Sequence, residues 1–119
     1  MKDKSAGGAI IAAAPGRIDL SNADQFQVAL SASLAKAGTA LVLDLSAADL
    51  ITSGGFRVLV IVQKASKAQN KSFAITSLRP LVKEVYDIGG FKHLLVVFDT
   101  VHDAVAKLDP DSLPGLDAP

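Results

Sequence analysis

The 119-residue chain predicts an α/β domain in which strands alternate with helices over a largely parallel sheet. Three stretches predict it. Ala40-Leu-Val-Leu-Asp-Leu45 is apolar apart from Asp44, the pattern of a central strand covered on both faces. Before it, Phe26, Leu30, Ser33, Leu34 and Ala37 recur at helical spacing, with Gln25, Gln27 and Lys36 off that face. After it, Phe56 to Val62 is rich in β-branched residues, which favour a strand on propensity alone. That run enters the helix-forming stretch Gln63 to Gln69 with no Gly or Pro between, and the first stop is Asn70. The whole is read as one helix from about Gly54 to Gln69.

Composition narrows the function classes. The length suits one domain with a core of its own. Twelve basic and twelve acidic residues cancel, and the basic ones are scattered, unlike the stripe of a nucleic-acid binder. Aromatic residues make up 5%, too few for a base-stacking platform, so no nucleic-acid partner is expected. There are no cysteines, which removes disulfides and thiol chemistry. No apolar run approaches the roughly 18 residues of a membrane span, and no signal-peptide core follows the N-terminus. The expected location is cytoplasmic, without membrane insertion.

Taken in order, residues 1–8 are polar and Gly-containing and read as a disordered or ragged start. Ala9 to Ala14 suits a buried strand, Pro15-Gly16 a turn, and Arg17-Ile-Asp-Leu20 a short half-exposed strand. Ser21 and Asn22 are N-cap candidates for the helix through Ala37, and Gly38 is its C-cap candidate. Residues 46–52 form a loop or a turn of helix. Ser72 to Thr76 alternates as a strand. Pro80 opens a helix whose Leu81, Val85 and Ile88 share a face, ended by Gly89-Gly90. Leu94 to Phe98 is a further strand. Thr100-Val-His-Asp103 matches a capping box, with Val101, Ala104, Val105 and Leu108 as the buried stripe of a last helix. Residues 109–119 read as an unstructured tail, leaving a domain over 9–108.

These residues resemble a known family. The chain is similar to the STAS domain, the fold of bacterial anti-sigma-factor antagonists. Gly7 to Asp19 (GGAIIAAAPGRID) is similar to an early strand and its Gly-x-Leu-Asp turn. Leu41 to Ser46 looks like the central strand, and Ile51-Thr-Ser-Gly-Gly-Phe56 like the Asp-Ser-(Ser/Thr/Ala)-Gly-Leu signature. The resemblance covers about residues 7 to 108 and implies a STAS-like mixed sheet of four to five strands with about four helices. It also implies a phosphorylatable serine at Ser53, modified by a partner that is both anti-sigma factor and serine kinase of the GHKL type. Asp19 matches the family's turn Asp. The implied contact surface is Asp19, Thr52, Ser53, Gly54, Gly55, Phe56 and Arg57. Three departures stand out: Thr52 replaces the signature Asp, Arg57 replaces a small residue, and the segment before Gly7 is too short and polar for the usual first edge strand. The last suggests four strands if Arg17 to Leu20 is a turn.

Two readings of Ser53 stay open and are compatible. Serine is a common N-cap and needs no partner for that role, while a hydroxyl at an exposed helix start is also within a kinase's reach. Arg57, one turn on, is either a solvated charge or a partner for a phosphate or an acidic group. The helix behind Ser53 carries Phe56, Leu59, Val60 and Gln63 on one stripe and Val58, Ile61 and Val62 elsewhere. That excess implies either deep burial by neighbouring helices or an apolar surface open to a partner. His93 and His102 lie nine apart without a ligand pattern, so no metal or cofactor is expected. No nucleophile elbow or phosphate loop is present, so the chain is not expected to be an enzyme. The expected function is a regulatory binding module that switches partners through Ser53. The alternative is a non-phosphorylated STAS subunit of a signalling scaffold or lipid-transport complex.

Overall fold

A computed structural model describes residues 1–117. Its main sheet has five strands: β1 (Lys2–Ala6), β2 (Ala9–Ala13), β4 (Ala40–Asp44), β6 (Ser72–Thr76) and β7 (Val97–Phe98), in the order β1-β2-β4-β6-β7. β1 runs antiparallel to β2, and the remaining neighbours are parallel. The expected mixed sheet is present at the upper end of its strand count. A separate parallel pair, β3 (Arg17–Ile18) and β5 (Leu50–Ile51), sits outside it. The helices are α1 (Ala23–Lys36), α2 (Ser53–Ala68), α3 (Pro80–Ile88), α4 (Val101–Leu108) and α5 (Leu113–Asp117).

Strand periodicity divides the core in two. In β4, Leu41 and Leu43 face a cluster with Phe26, Leu30 and Leu34 of α1, Phe56, Leu59 and Val62 of α2, and Val82 and Tyr86 of α3. Ala40 and Val42 face the opposite layer with Ala104 and Val105 of α4. Because successive side chains on a strand alternate faces, β4 is buried on both sides. The continuous apolar run required this. The long α2 is one helix, and Val58 and Val62 are buried within the same cluster, so neighbours cover most of its apolar excess.

The two ends correct the expectation of a ragged start and an unstructured tail. Lys2 to Ser5 are exposed, yet all five residues of β1 pair with β2, from Lys2 opposite Ala13 to Ala6 opposite Ala9. An edge strand needs backbone partners more than apolar side chains, and edge lysines discourage further pairing. Gly7, at φ +60°, makes the tight turn that a side chain would strain. Residues 110–112 form a 3-10 turn leading into α5, where Leu113 and Leu116 pack on the second cluster. Polar groups hold the turn. Gly8 N–H donates to Ser112 Oγ at 3.1 Å, and the Ser112 and Thr39 hydroxyls both donate to Asp109 Oδ2. The part of the expected tail at 118–119 lies outside the described residues.

Three local expectations also shift. α1 ends at Lys36 with Ala37 as its C-cap, and Gly38 instead donates its N–H to Gly8 O at 2.9 Å. α3 buries Val82 and Tyr86 and leaves Leu81 and Ile88 exposed, because Tyr86 packs over Phe56 with ring centroids 6.2 Å apart. The strand expected at 94–98 contracts to Val97–Phe98. A 3-10 turn occupies Phe91–His93, and the Val96 N–H is taken by Gln63 Oε1 at 3.4 Å. Thr100 caps α4 as expected, accepting from Asp103 N–H at 3.0 Å.

The Ser112 hydroxyl, then that of Thr39, holds the Asp109 carboxyl below its ordinary value of 3.8. A lowered carboxyl stabilises the fold fully above its unfolded value, and the contribution is lost as pH falls through the folded one. Asp109→Asn should therefore melt a few degrees below the parent near neutral pH, with the gap narrowing only once pH drops below 3.8 and closing as it passes through the lowered folded value. Thermal melts of both proteins across that range check it; a pH-independent gap would contradict the role of the charge.

Candidate functional site

The start of α2 is seated on the β3–β5 pair. Thr52 N–H donates to Ile18 O at 3.0 Å, which ties the chain entering α2 to the end of β3. Thr52 is the N-cap, in extended conformation, and its Oγ1 accepts from Gly55 N–H at 3.3 Å. This revises the cap reading of Ser53. The capping hydroxyl belongs to Thr52, and Ser53 is the first helical residue, exposed, its hydroxyl without a hydrogen-bond partner among the described residues. Sequence alone could not separate two adjacent hydroxyl residues, both good caps.

The two glycines behind Ser53 differ. A Cβ on Gly55 would lie 2.8 Å from Ile51 Cγ2, 2.9 Å from Ile18 Cγ2 and 3.3 Å from Ile18 O. Gly55 is the residue that lets the helix approach both short strands. A Cβ on Gly54 would meet only Thr52 Oγ1, at 3.8 Å. Phe56 is fully buried and stacks on Phe91 at 4.9 Å between ring centroids. Burial of such a ring contributes about 1.5–3 kcal/mol. Gly55 and Phe56 are therefore internal supports, which corrects their placement in the contact surface. Thr52 is half-buried, while Ser53, Gly54 and Arg57 are exposed.

Asp19 organises the neighbouring loop. Its carboxylate accepts from Ser21 N–H and Arg17 Nε, each at 2.9 Å, and from the Ser21 hydroxyl, and it pairs with Arg17 Nη2 at 2.7 Å. The Ser21 hydroxyl, followed by Arg17, holds its carboxyl below 3.8. Among the described residues Asp19 makes no hydrogen bond to Ser53. Asn22 completes the loop, accepting from Asp19 N–H at 2.9 Å and donating to Arg17 O at 2.8 Å. Asn22 stands at the N-cap position of α1, as the sequence suggested, but makes no side-chain cap bond; its bracing role was missed, and an Asx-type turn after Asp19 was the available signal.

The surface around Ser53 is apolar as well as polar. Leu20, on the crest of the Asp19 loop, is 93% exposed, and Leu50 of β5 and Leu81 of α3 are also exposed. The exposed Asp49–Arg79 ion pair, at 2.6 Å, links the β4–β5 loop to the residue before α3. Arg57 forms no ion pair among the described residues. Among those residues no three potential metal ligands converge, and no helix is long and apolar enough to cross a membrane. Among the described residues the Ser53 hydroxyl, exposed at the start of α2, has no hydrogen-bonding partner, while that of Thr52 is engaged in the cap.

Mutation should separate the two glycines. Gly55→Ala should destabilise by about 1–3 kcal/mol through overpacking against Ile18 and Ile51. Gly54→Ala should be neutral or stabilise by up to about 1 kcal/mol, since it only narrows the unfolded ensemble. Urea unfolding measures both, and equal effects would contradict the close approach at Gly55.

Comparison with known proteins agrees with this architecture. BtrV of Bordetella bronchiseptica, a candidate anti-sigma factor antagonist, is 33% identical over 107 residues, covering 90% of this chain and 91% of BtrV. An anti-sigma factor antagonist from Mycobacterium paratuberculosis superposes with a TM-score of 0.81 at 22% identity, over 90% of this chain and 91% of that one. SpoIIAA, an anti-sigma factor antagonist, superposes in its unphosphorylated form with a TM-score of 0.74 at 13% identity, over 92% and 96% of the two chains. SpoIIAA has also been solved phosphorylated. At these identities the two structural likenesses concern the fold. The STAS-domain family profile matches residues 2–104, and with β1 to α4 in place around a serine-bearing α2, this chain belongs to the STAS domain family.

Proposed function

We propose that the chain is an anti-sigma-factor antagonist that switches partners through phosphorylation of Ser53. The observation that carries the reading is the division of labour at the start of α2. Thr52 does the capping, and the exposed Ser53 hydroxyl makes no hydrogen bond among the described residues that modification would destroy. Support also comes from the curated relative, which is named for anti-sigma factor antagonism over nearly its whole length.

The physics of such a switch is asymmetric. A phosphate on Ser53 adds about −1.5 to −2 charges at neutral pH. The unsatisfied N–H groups and dipole of a helix N-terminus favour an anion there, so the domain itself tolerates the group. Arg57 lies one turn on, where a charge-assisted bond to phosphate is within reach of a flexible guanidinium. A protein packed against the same exposed turn meets the charge without those compensations. The partner in this reading is an anti-sigma factor that is also a serine kinase of the GHKL type, acting in the cytoplasm. Asp19, bound to Arg17 and Ser21, shapes the adjoining loop.

Thr52 favours a second reading, because the family signature has a carboxylate there. In it the same surface binds constitutively, as a non-phosphorylated subunit of a signalling scaffold or lipid-transport complex. Intact mass after incubation with ATP and the candidate kinase separates the two. In the switching reading, Ser53→Asp weakens binding to the cognate anti-sigma kinase at least about tenfold, or 1.4 kcal/mol, while Ser53→Ala keeps it. Equal affinity of both variants in a titration would count against the switch.

A further inference from the structure

The acids of this neutral chain are unevenly distributed along it. From Leu50 to Lys83 there is no Asp or Glu, and the stretch carries Arg57, Lys64, Lys67, Lys71, Arg79 and Lys83. Ile88 to Phe98 likewise lacks any acid and adds Lys92 and His93. Residues 99–117, which include α4 and α5 on the other side of the sheet, carry five aspartates and one lysine, Lys107, and Lys4 of β1 donates to Leu116 O there at 3.1 Å.

The two acid-free segments lie side by side. Phe56 of α2 stacks on Phe91 at 4.9 Å, and Gln63, two turns further along α2, meets Val96 at 3.4 Å. Between these tie points the surface is an apolar strip. Val60 and Phe91 are half-buried along its floor, and Leu94 and Val96 are 50% and 41% exposed. Arg57 and Lys64 on α2, at i−3 and i+4 from Val60, and Lys92, next to Phe91, are exposed cations of the two segments. A half-buried floor beside exposed cations suits a ridge of side chains better than a plane of lipid headgroups.

We infer that the strip between α2 and residues 91–96 docks an acidic, amphipathic segment of the partner protein, with its apolar ridge on Val60, Leu94 and Val96 and its carboxylates on Arg57, Lys64 and Lys92. Burying those exposed side chains supplies the hydrophobic contribution, and neither segment carries a carboxylate of its own to compete for the cations. The inference rests on the proposed function only in taking this partner to be the one that Ser53 controls. It adds a mechanism to that control: a phosphate at the head of a basic strip competes with an acidic partner for Arg57 and repels its carboxylates.

The test titrates the full chain with two helical peptides that share a leucine stripe flanked either by glutamates or by lysines, and with phosphatidylglycerol vesicles. The glutamate peptide should bind, weaken steeply between low salt and about 0.15 M, and bind about tenfold more weakly to the Lys64→Glu/Lys92→Glu variant. Lys107→Glu, on the opposite face, should leave binding unchanged. Equal binding of both peptides, binding of vesicles alone, no binding at all, or salt-sensitive self-association lost in the double variant would each overturn the inference. The last of these would make a second copy the occupant. If Ser53→Asp still releases the anti-sigma partner while the glutamate peptide fails to bind, the acidic segment is wrong and the switch stands. If the peptide binds and Ser53→Asp changes nothing, the switch alone falls.

Discussion

The close approach of Gly55 to Ile18 and Ile51 is the constraint on which the presentation of the site depends. With no side chain at that position, the first turn of α2 settles onto the β3–β5 pair. Phe56 then reaches Phe91 and Tyr86, so α2, α3 and the turn after α3 share one aromatic contact. The same seating fixes Thr52 in the extended conformation of a cap and turns Ser53 outward. A residue that never touches solvent thereby decides which hydroxyl does.

Much of this was legible in the sequence because it depended on periodicity. The run Ala40 to Leu45 could only be a strand covered on both faces, and the uninterrupted path from Phe56 to Gln69 overrode the β-branched content of Val58 to Val62. Thr100 and Asp103 formed the cap their spacing announced. The misses share a different cause. Lys2 to Ser5 pair through their backbone, and Asp109 with Ser112 fastens the C-terminal segment through polar side chains; neither leaves an apolar pattern to read. The buried face of α3 turned on tertiary contact, since Tyr86 on Phe56 outweighs the spacing of Leu81, Val85 and Ile88. At the site, the sequence placed Ser53 at the head of a helix and erred on the roles around it. Gly55 and Phe56 are supports, and capping falls to Thr52, a distinction that only the register of the first turn decides.

Charge gives the face its second property. The balanced charges read as scattered basic residues, but a sum over the chain ignores where the acids fall. α2 and residues 88–98 carry no acid, whereas residues 99–117, whose α4 and α5 pack on the other side of the sheet, carry five aspartates. On such a surface a single phosphate changes the local balance far more than its share of the total charge implies.

The most direct measurement compares partner binding by the protein phosphorylated at Ser53 and by the unmodified protein, with an amide NMR spectrum of each to follow the fold. The account predicts that the phosphorylated form loses the partner while resonances change only near the start of α2. Undiminished binding by the phosphorylated form, or loss of binding accompanied by unfolding of the domain, would contradict it.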